Sequence, residues 1–417
     1  MTRQERKGWL IIATLFTAIF FVMGATTNCI SVFLTPLMKH FGWTHAKVSV
    51  VPTVFSLSLG LVSPLIGYLL DRLEARVVVC AGAVAAVAGL LIASQSTAIG
   101  SMAWAYIAMG IGVGAATFIP ASLVAANWFK DQRGLAVGVV VCGSSTSGIL
   151  MPPLADYLVR SFGISATFLL LAIPIAVLVI PAVLLIVRTR PEGDANATSV
   201  AEQVKSLPGL DVGPALATRA FWLLALVQGL GMAGLGGTFY HLVPAMIDAG
   251  YSPAHGALVV SLQAAISVGG FVLMGWLADR FSARRVLPCA LAVLGVSVLM
   301  LLGVRSAHAW GWWLAGYIMA FGLTAGCTSS LTPVVAVETL GLRRFGTLWG
   351  LIGLGSTIGL AGGPLLVGAV FDATSSYAMA FELCAAMLLT AAIAVVMISP
   401  AEGVEAVPAS ALRAVGH

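Results

Sequence analysis

The sequence predicts an all-α membrane protein of twelve transmembrane helices, arranged as two pseudo-symmetric six-helix bundles. Three observations carry that expectation. Of 417 residues, 59% are hydrophobic and 9% charged, whereas a soluble chain carries about a quarter charged residues. The apolar residues gather into runs near the roughly 20 residues that cross a bilayer. A stretch of ten residues also occurs twice: Gly67-Tyr-Leu-Leu-Asp71-Arg72-Leu-Glu-Ala-Arg76 returns as Gly275-Trp-Leu-Ala-Asp279-Arg280-Phe-Ser-Ala-Arg284, 208 residues further on. Each copy follows one long apolar run and precedes another, so the chain is a duplicated unit.

In order, the first six runs fall near 8–38, 47–70, 76–96, 99–127, 133–158 and 164–188, and the second six near 219–247, 255–278, 285–304, 308–337, 345–371 and 376–399. Residues 1–188 thus form an N-terminal six-helix bundle, 189–218 a polar linker, 219–400 a C-terminal six-helix bundle and 401–417 a tail. The basic start, Met1 to Lys7, leads into a run longer than a signal-peptide core and without a small-residue cleavage site, so it is expected to stay as the first span.

Charge sets the orientation. With the N-terminus inside, all 21 Lys and Arg but Lys39, Lys47, Arg160 and Arg305 fall on the cytoplasmic side. The positive-inside rule then places both termini in the cytoplasm, and the expected location is the cell inner membrane. The same rule absorbs the net charge of +5, so nucleic acid is not an expected partner; the lipid bilayer and a small-molecule substrate are. Cys29, Cys80, Cys142, Cys289, Cys327 and Cys384 stand singly in apolar runs, as packing residues rather than a disulfide frame or metal site. No GxSxG, HExxH or Walker A sequence is present, and no enzyme activity or cofactor is expected. Asn196-Ala-Thr198 matches a glycosylation sequon but falls in the cytoplasmic linker.

The repeated stretch reads as a gate. Gly67 and Gly275 end the second and eighth runs without side chains, where another helix can pack closely. Asp71 and Asp279 follow at helix–loop junctions, where a carboxylate can pair with Arg72, Arg76, Arg133, Arg280 or Arg284, or accept hydrogen bonds from a helix N-terminus. Such a cluster, formed when the cytoplasmic side is shut and broken when it opens, would be a latch for alternating access.

These motifs, with twelve runs and a central linker, resemble the major facilitator superfamily over nearly the whole chain. Asn127-Trp-Phe-Lys-Asp-Gln-Arg133-Gly-Leu-Ala-Val-Gly138 and Gly353-Leu-Gly355-Ser-Thr-Ile-Gly-Leu-Ala-Gly-Gly-Pro364 are similar to signatures of the monocarboxylate transporters and the bacterial oxalate/formate antiporter-like branch. The resemblance implies two like-oriented halves that rock about a central site. It also implies three charges tied to proton and anion handling, and here their positions fall on Asn28, about Ser267 and about Phe271, so all three charges are missing. Arg280 lies at the membrane edge and does not replace the missing arginine.

Polar residues within spans are the candidates for substrate contact: Asn28 in the first run, Ser144 in the fifth, Tyr240 and His241 in the seventh, Gln263 in the eighth and Tyr317 in the tenth. His241 is the one side chain within a span whose charge changes near neutral pH, so it is the candidate for proton coupling. Thr26 and Thr27 are expected to bond back to their own backbone. Ser267 shares a helical face with Gln263, Tyr317, Thr324 and Thr328 can form one stripe, and Trp349 points to the cytoplasmic gate. Trp310, Trp312 and Trp313 belong to an interfacial aromatic belt. The expected function is secondary transport of a small organic acid, with a proton or by exchange, by a monomer. The alternatives are a carrier of a neutral or aromatic solute, such as a vitamin, and a transporter-like membrane sensor.

Overall fold

The computed structural model describes residues 3–43, 48, 50–129, 131–190, 209–305 and 312–399. Lys47, Lys130, Lys205, the sequon at Asn196, Trp310, much of the expected linker and the whole expected tail lie outside the described residues. Everything else is built from helices, as a bilayer demands when no water is present to satisfy the backbone.

The first run starts earlier than expected, its basic N-terminal turn being helical: α1 spans Arg3–Met23. It then widens into a π-turn at Gly24–Asn28 and continues as α2, Ile30–Phe41. Gly24 fits here because its missing side chain makes room for Met151 and Ser147. Next come α3, Val50–Leu70, and α4, Ala75–Gln95. The fourth run divides at Thr117 into α5, Ile99–Ala116, and α6, Phe118–Trp128, with Pro120 in the first turn of α6, where a missing N–H is tolerated.

Eleven helices among the described residues are long and apolar enough to cross a membrane, against twelve expected runs, because the fifth and sixth are joined. The joined stretch, 133–186, has 54 residues, well over the roughly 20 needed for one crossing. It comprises α7, Arg133–Pro174, a π-turn and α8, Ile180–Ile186, and it breaks at Gly163, whose φ of 79° and ψ of 169° are open to glycine. Two crossings on either side of that break restore the count of twelve.

The linker's described end holds a short helix, α9, Val212–Leu216. The second half then runs α10, Arg219–Asp248, α11, Pro253–Phe281, and α12, Ala283–Met300. Its divided span is α13, Trp312–Thr324, with α14, Cys327–Leu340; α15, Phe345–Thr374, and α16, Tyr377–Val396, complete it.

Small residues set the packing. Gly82, Gly89 and Gly112 bring α4 and α5 together against Ala115, Ala105 and Ala86. Large apolar side chains point outward instead: Leu61, Leu185, Ile358 and Leu365 are each exposed by more than 70%. That is the reverse of a soluble surface and is what a hydrocarbon solvent requires. Trp312 and Trp313 are exposed in the same way. Of the six cysteines, all unpaired thiols, five are buried and Cys289 is exposed. The two halves touch mainly along crossed pairs, α3 with α15 and α7 with α11.

Candidate functional site

Both copies of the repeated stretch lie where the halves meet. Gly67 faces Gly346 and Gly275 faces Gly134, and a Cβ on any of the four would overlap the opposite backbone. Backbone therefore touches backbone at both crossings. This approach carries Asp71 onto the first turn of α15: Oδ1 accepts from the Gly346 N–H at 3.0 Å, and Oδ2 from the Thr347 N–H at 2.9 Å and the Thr347 hydroxyl at 2.5 Å. Asp279 does the same on the first turn of α7, accepting from the Gly134 N–H at 2.6 Å and the Leu135 N–H at 2.8 Å.

Of the two roles open to these carboxylates, the structure uses the second, capture of a helix N-terminus, where exposed N–H groups and the helix dipole favour an anion. Burial raises the Asp71 carboxyl above its ordinary pKa, while the Thr347 and Gly346 donors and nearby Arg344 pull it back. The motif arginines are occupied elsewhere. The Arg72 guanidinium lies 4.2 Å from the Tyr68 ring centroid and that of Arg280 lies 5.7 Å from Trp276. Arg76 sits half-buried in the first turn of α4. Arg133 donates from Nε to the Ala126 and Phe129 carbonyls, both at 3.2 Å, with Asp279 and Glu338 as charged neighbours. Arg284 donates to the Ile398 carbonyl, also beside Glu338. Sequence reasoning missed Glu338; its signal was an acidic residue closing an otherwise apolar run.

Away from this end, Asn28 closes the π-turn between α1 and α2. Its Nδ2 donates to the Ser147 hydroxyl at 2.7 Å and to the Ser144 carbonyl at 3.2 Å, pinning the broken first span to α7. π-turns of this kind recur at functional sites. The Ser144 hydroxyl bonds back to Val141 and that of Ser147 to Ser144. Thr26 likewise bonds back to Val22, as expected, but the buried Thr27 hydroxyl does not. Ser145 and Ser267 bring their hydroxyls to 3.0 Å across the α7–α11 crossing, a contact between halves that the separate runs could not reveal.

In the second half, His241 Nε2 lies 3.0 Å from the Pro364 carbonyl of α15, and its ring is 5.9 Å from that of Tyr377. A carbonyl only accepts, so Nε2 carries the hydrogen. Neighbouring Tyr240 is 59% exposed and in edge contact with Phe239. Gln263 and Tyr317 are both buried, and neither the Gln263 amide nor the Tyr317 hydroxyl has a hydrogen-bond partner among the described residues. On the expected stripe, Thr324 bonds back to Ala320, while the Thr328 hydroxyl is buried without a partner and its methyl meets Gly231 of α10. Trp349 stacks on Phe345 at the motif-bearing end of α15. The candidates thus fall into three groups: a docked end with both Asp residues, a middle tier of Asn28, Ser144, Ser145 and Ser267, and a second-half group holding His241, Gln263 and Tyr317.

Known proteins share this architecture. The sequence profile described as Major Facilitator Superfamily matches residues 15–275 and 242–415. An uncharacterized MFS-type transporter, YcxA, of Bacillus subtilis is 25% identical over 92% of this chain and 93% of its own. Human monocarboxylate transporter 11 is 28% identical, covering 92% of this chain and 81% of its own, and human monocarboxylate transporter 12 is 25% identical over 90% and 77%. Among solved structures, the human organic anion transporter MFSD10 superposes with a TM-score of 0.74 at 16% identity, over 95% of this chain and all of its own.

Proposed function

Because this chain belongs to the major facilitator superfamily, and is a multi-pass membrane transporter rather than an enzyme, we propose that it moves a small organic acid by alternating access, with a proton or by exchange. The observation that carries the substrate class is near full-length similarity to proteins named monocarboxylate transporters. The proposed setting is the cell inner membrane, with the docked motif end and both termini on the cytoplasmic side and the protein working as a monomer.

In this reading Asp71 and Asp279 latch the cytoplasmic gate. Gly67 and Gly275 permit the approach, while Arg133 and Arg284, with Glu338, neutralise charge behind it. The substrate enters between the halves and is met at the middle tier. There the charges implied by the resemblance are replaced by Asn28, Ser267 and Phe271, so a carboxylate is received by amide and hydroxyl groups or arrives with its proton. His241, with Nε2 at the Pro364 carbonyl, is assigned the coupling role. Tyr240, Gln263 and Tyr317 are assigned to substrate contact once the halves rock.

A second reading, a neutral or aromatic solute, is favoured by the uncharged side chains of the middle tier, since a buried anion is normally met by a cation. Uptake into proteoliposomes of a panel of carboxylates and neutral aromatics, with and without an inward proton gradient, separates the two. Gradient-driven carboxylate uptake is expected, and neutral-only uptake would overturn the first reading. His241→Ala is expected to abolish uptake or remove its pH dependence; wild-type, pH-dependent uptake in that variant would exclude the coupling role.

A further inference from the structure

At the motif-bearing end, outside the latch itself, lies a cavity of about 510 Å³ whose walls come from three parts of the chain. Tyr68 and Arg72 belong to the end of α3 and the turn after it, Asp211 to the linker just before α9, and Arg343, Arg344 and Thr347 to the start of α15. Three guanidinium groups therefore face a single carboxylate lining the same space.

That carboxylate holds two of them, Arg343 and Arg344, loosely. Asp211 lies 3.5 Å from Arg343 and 3.5 Å from Arg344, and its side chain is 54% exposed. An exposed pair divided between two partners adds little stability and yields readily to a better anion. The backbone donors of the α15 N-terminus are already taken by Asp71, so a ligand here meets guanidinium forks rather than a helix end. Planar forks with several N–H donors match tetrahedral oxyanions. The linker wall is fixed in place, since the Leu210 N–H donates to the Leu340 carbonyl at 3.0 Å.

We propose that this cavity binds a phosphoryl anion, held by Arg72, Arg343 and Arg344 between the first half, the linker and the second half. Such a ligand spans α3 and α15 at the point where Asp71 joins them. Its occupancy would favour the docked arrangement, an effect that rests on the latch reading above, whereas binding itself does not. A free phosphate compound and an anionic phospholipid headgroup share this chemistry, and experiment tells them apart.

The test uses the full chain in phosphatidylcholine nanodiscs, titrated with inorganic phosphate against chloride at constant ionic strength by calorimetry. In parallel, native mass spectrometry compares retention of phosphatidylglycerol with that of phosphatidylcholine. Saturable phosphate binding identifies a free anion, and selective phosphatidylglycerol retention alone identifies a headgroup. In either arm the double variant Arg72→Gln/Arg343→Gln is expected to bind about tenfold more weakly, while Arg219→Gln, outside the cavity, matches the wild type. If the double variant is misfolded by size exclusion, Arg343→Lys replaces it, keeping the charge but losing the fork, and is expected to bind several-fold more weakly. Absence of both phosphate binding and phosphatidylglycerol selectivity, or binding that none of the arginine variants weakens, overturns the proposal.

Discussion

The two crossings between the halves repeat one design with different chemistry around it. At α3–α15, Asp71 is 3% exposed and gathers three donors, one from the Thr347 side chain. At α7–α11, Asp279 is less buried and has two donors, both backbone, but a pair of charges stands behind it in Arg133 and Glu338. The supports differ by the same logic. Behind the first copy, Thr189 Oγ1 accepts from the Ala75 N–H at 2.7 Å, donates to Glu74 at 3.0 Å, and its carbonyl takes the Asn127 amide. Behind the second, Glu338 takes the Ala283 N–H while Arg284 binds the Ile398 carbonyl. One crossing is braced mainly by hydrogen bonds, the other by buried charge. Duplication thus preserved the backbone approach and left the bracing free to diverge.

This difference can be broken at its strongest point first. Asp71→Asn turns an amide N–H2 group, which cannot accept, toward donors that both carboxylate oxygens now receive, and a buried donor left unsatisfied costs about 1–3 kcal/mol. Undocking of α3 from α15 is expected to rise by about 10- to 100-fold, read as spin-label distances between the two helices. Asp279→Asn loses one contact fewer and is expected to shift its own crossing less, so equal or reversed shifts would show that donor count does not rank the crossings.

Glu338→Gln tests the buried charge. It keeps an acceptor for the Ala283 N–H but removes one negative charge from beside Arg133 and Arg284, and a buried charge left less compensated is destabilising. A loosening of α7–α11 with α3–α15 unchanged is expected. Because Arg133 retains its two carbonyl partners, the change should be smaller than for Asp279→Asn.

The smallest effect is one of pH. Burial raises the Asp71 pKa in the docked state, so the docked state binds its proton more tightly than an undocked one. The resulting contribution to docking is complete below the ordinary carboxylate value of 3.8 and is lost as pH rises through the raised value. Mild acid should therefore tighten α3–α15 in the wild type and leave Asp71→Asn unaffected. An acid response that survives in the variant would assign it to another group.

Much of the molecule was legible in residue order. Apolar run length and the repeated stretch predict helices and duplication, because a bilayer leaves a chain few ways to satisfy its backbone. The helix breaks were less so: Gly163 lies near a predicted boundary, whereas the π-turn before Asn28 and the division at Thr117 depend on what packs against them. The candidate residues were legible as types in places, as at Asn28 and His241, yet their partners were not. Asn28 finds Ser147 more than a hundred residues away, whereas the buried Gln263 amide and Tyr317 hydroxyl are left without hydrogen-bond partners among the described residues.

The repeated Gly-x-x-x-Asp-Arg stretch shows the division most clearly. Its sequence alone established a glycine, a carboxylate and a basic turn at one end of two like-oriented bundles. It left open whether the carboxylate would meet an arginine or a helix end. Only the packed structure decided that, because a glycine in each of two facing helices lets their backbones touch, and that contact leaves the first-turn N–H groups as the donors within reach. The arginines are then turned outward, onto aromatic rings and, at Arg72, into a cavity shared with the linker and α15.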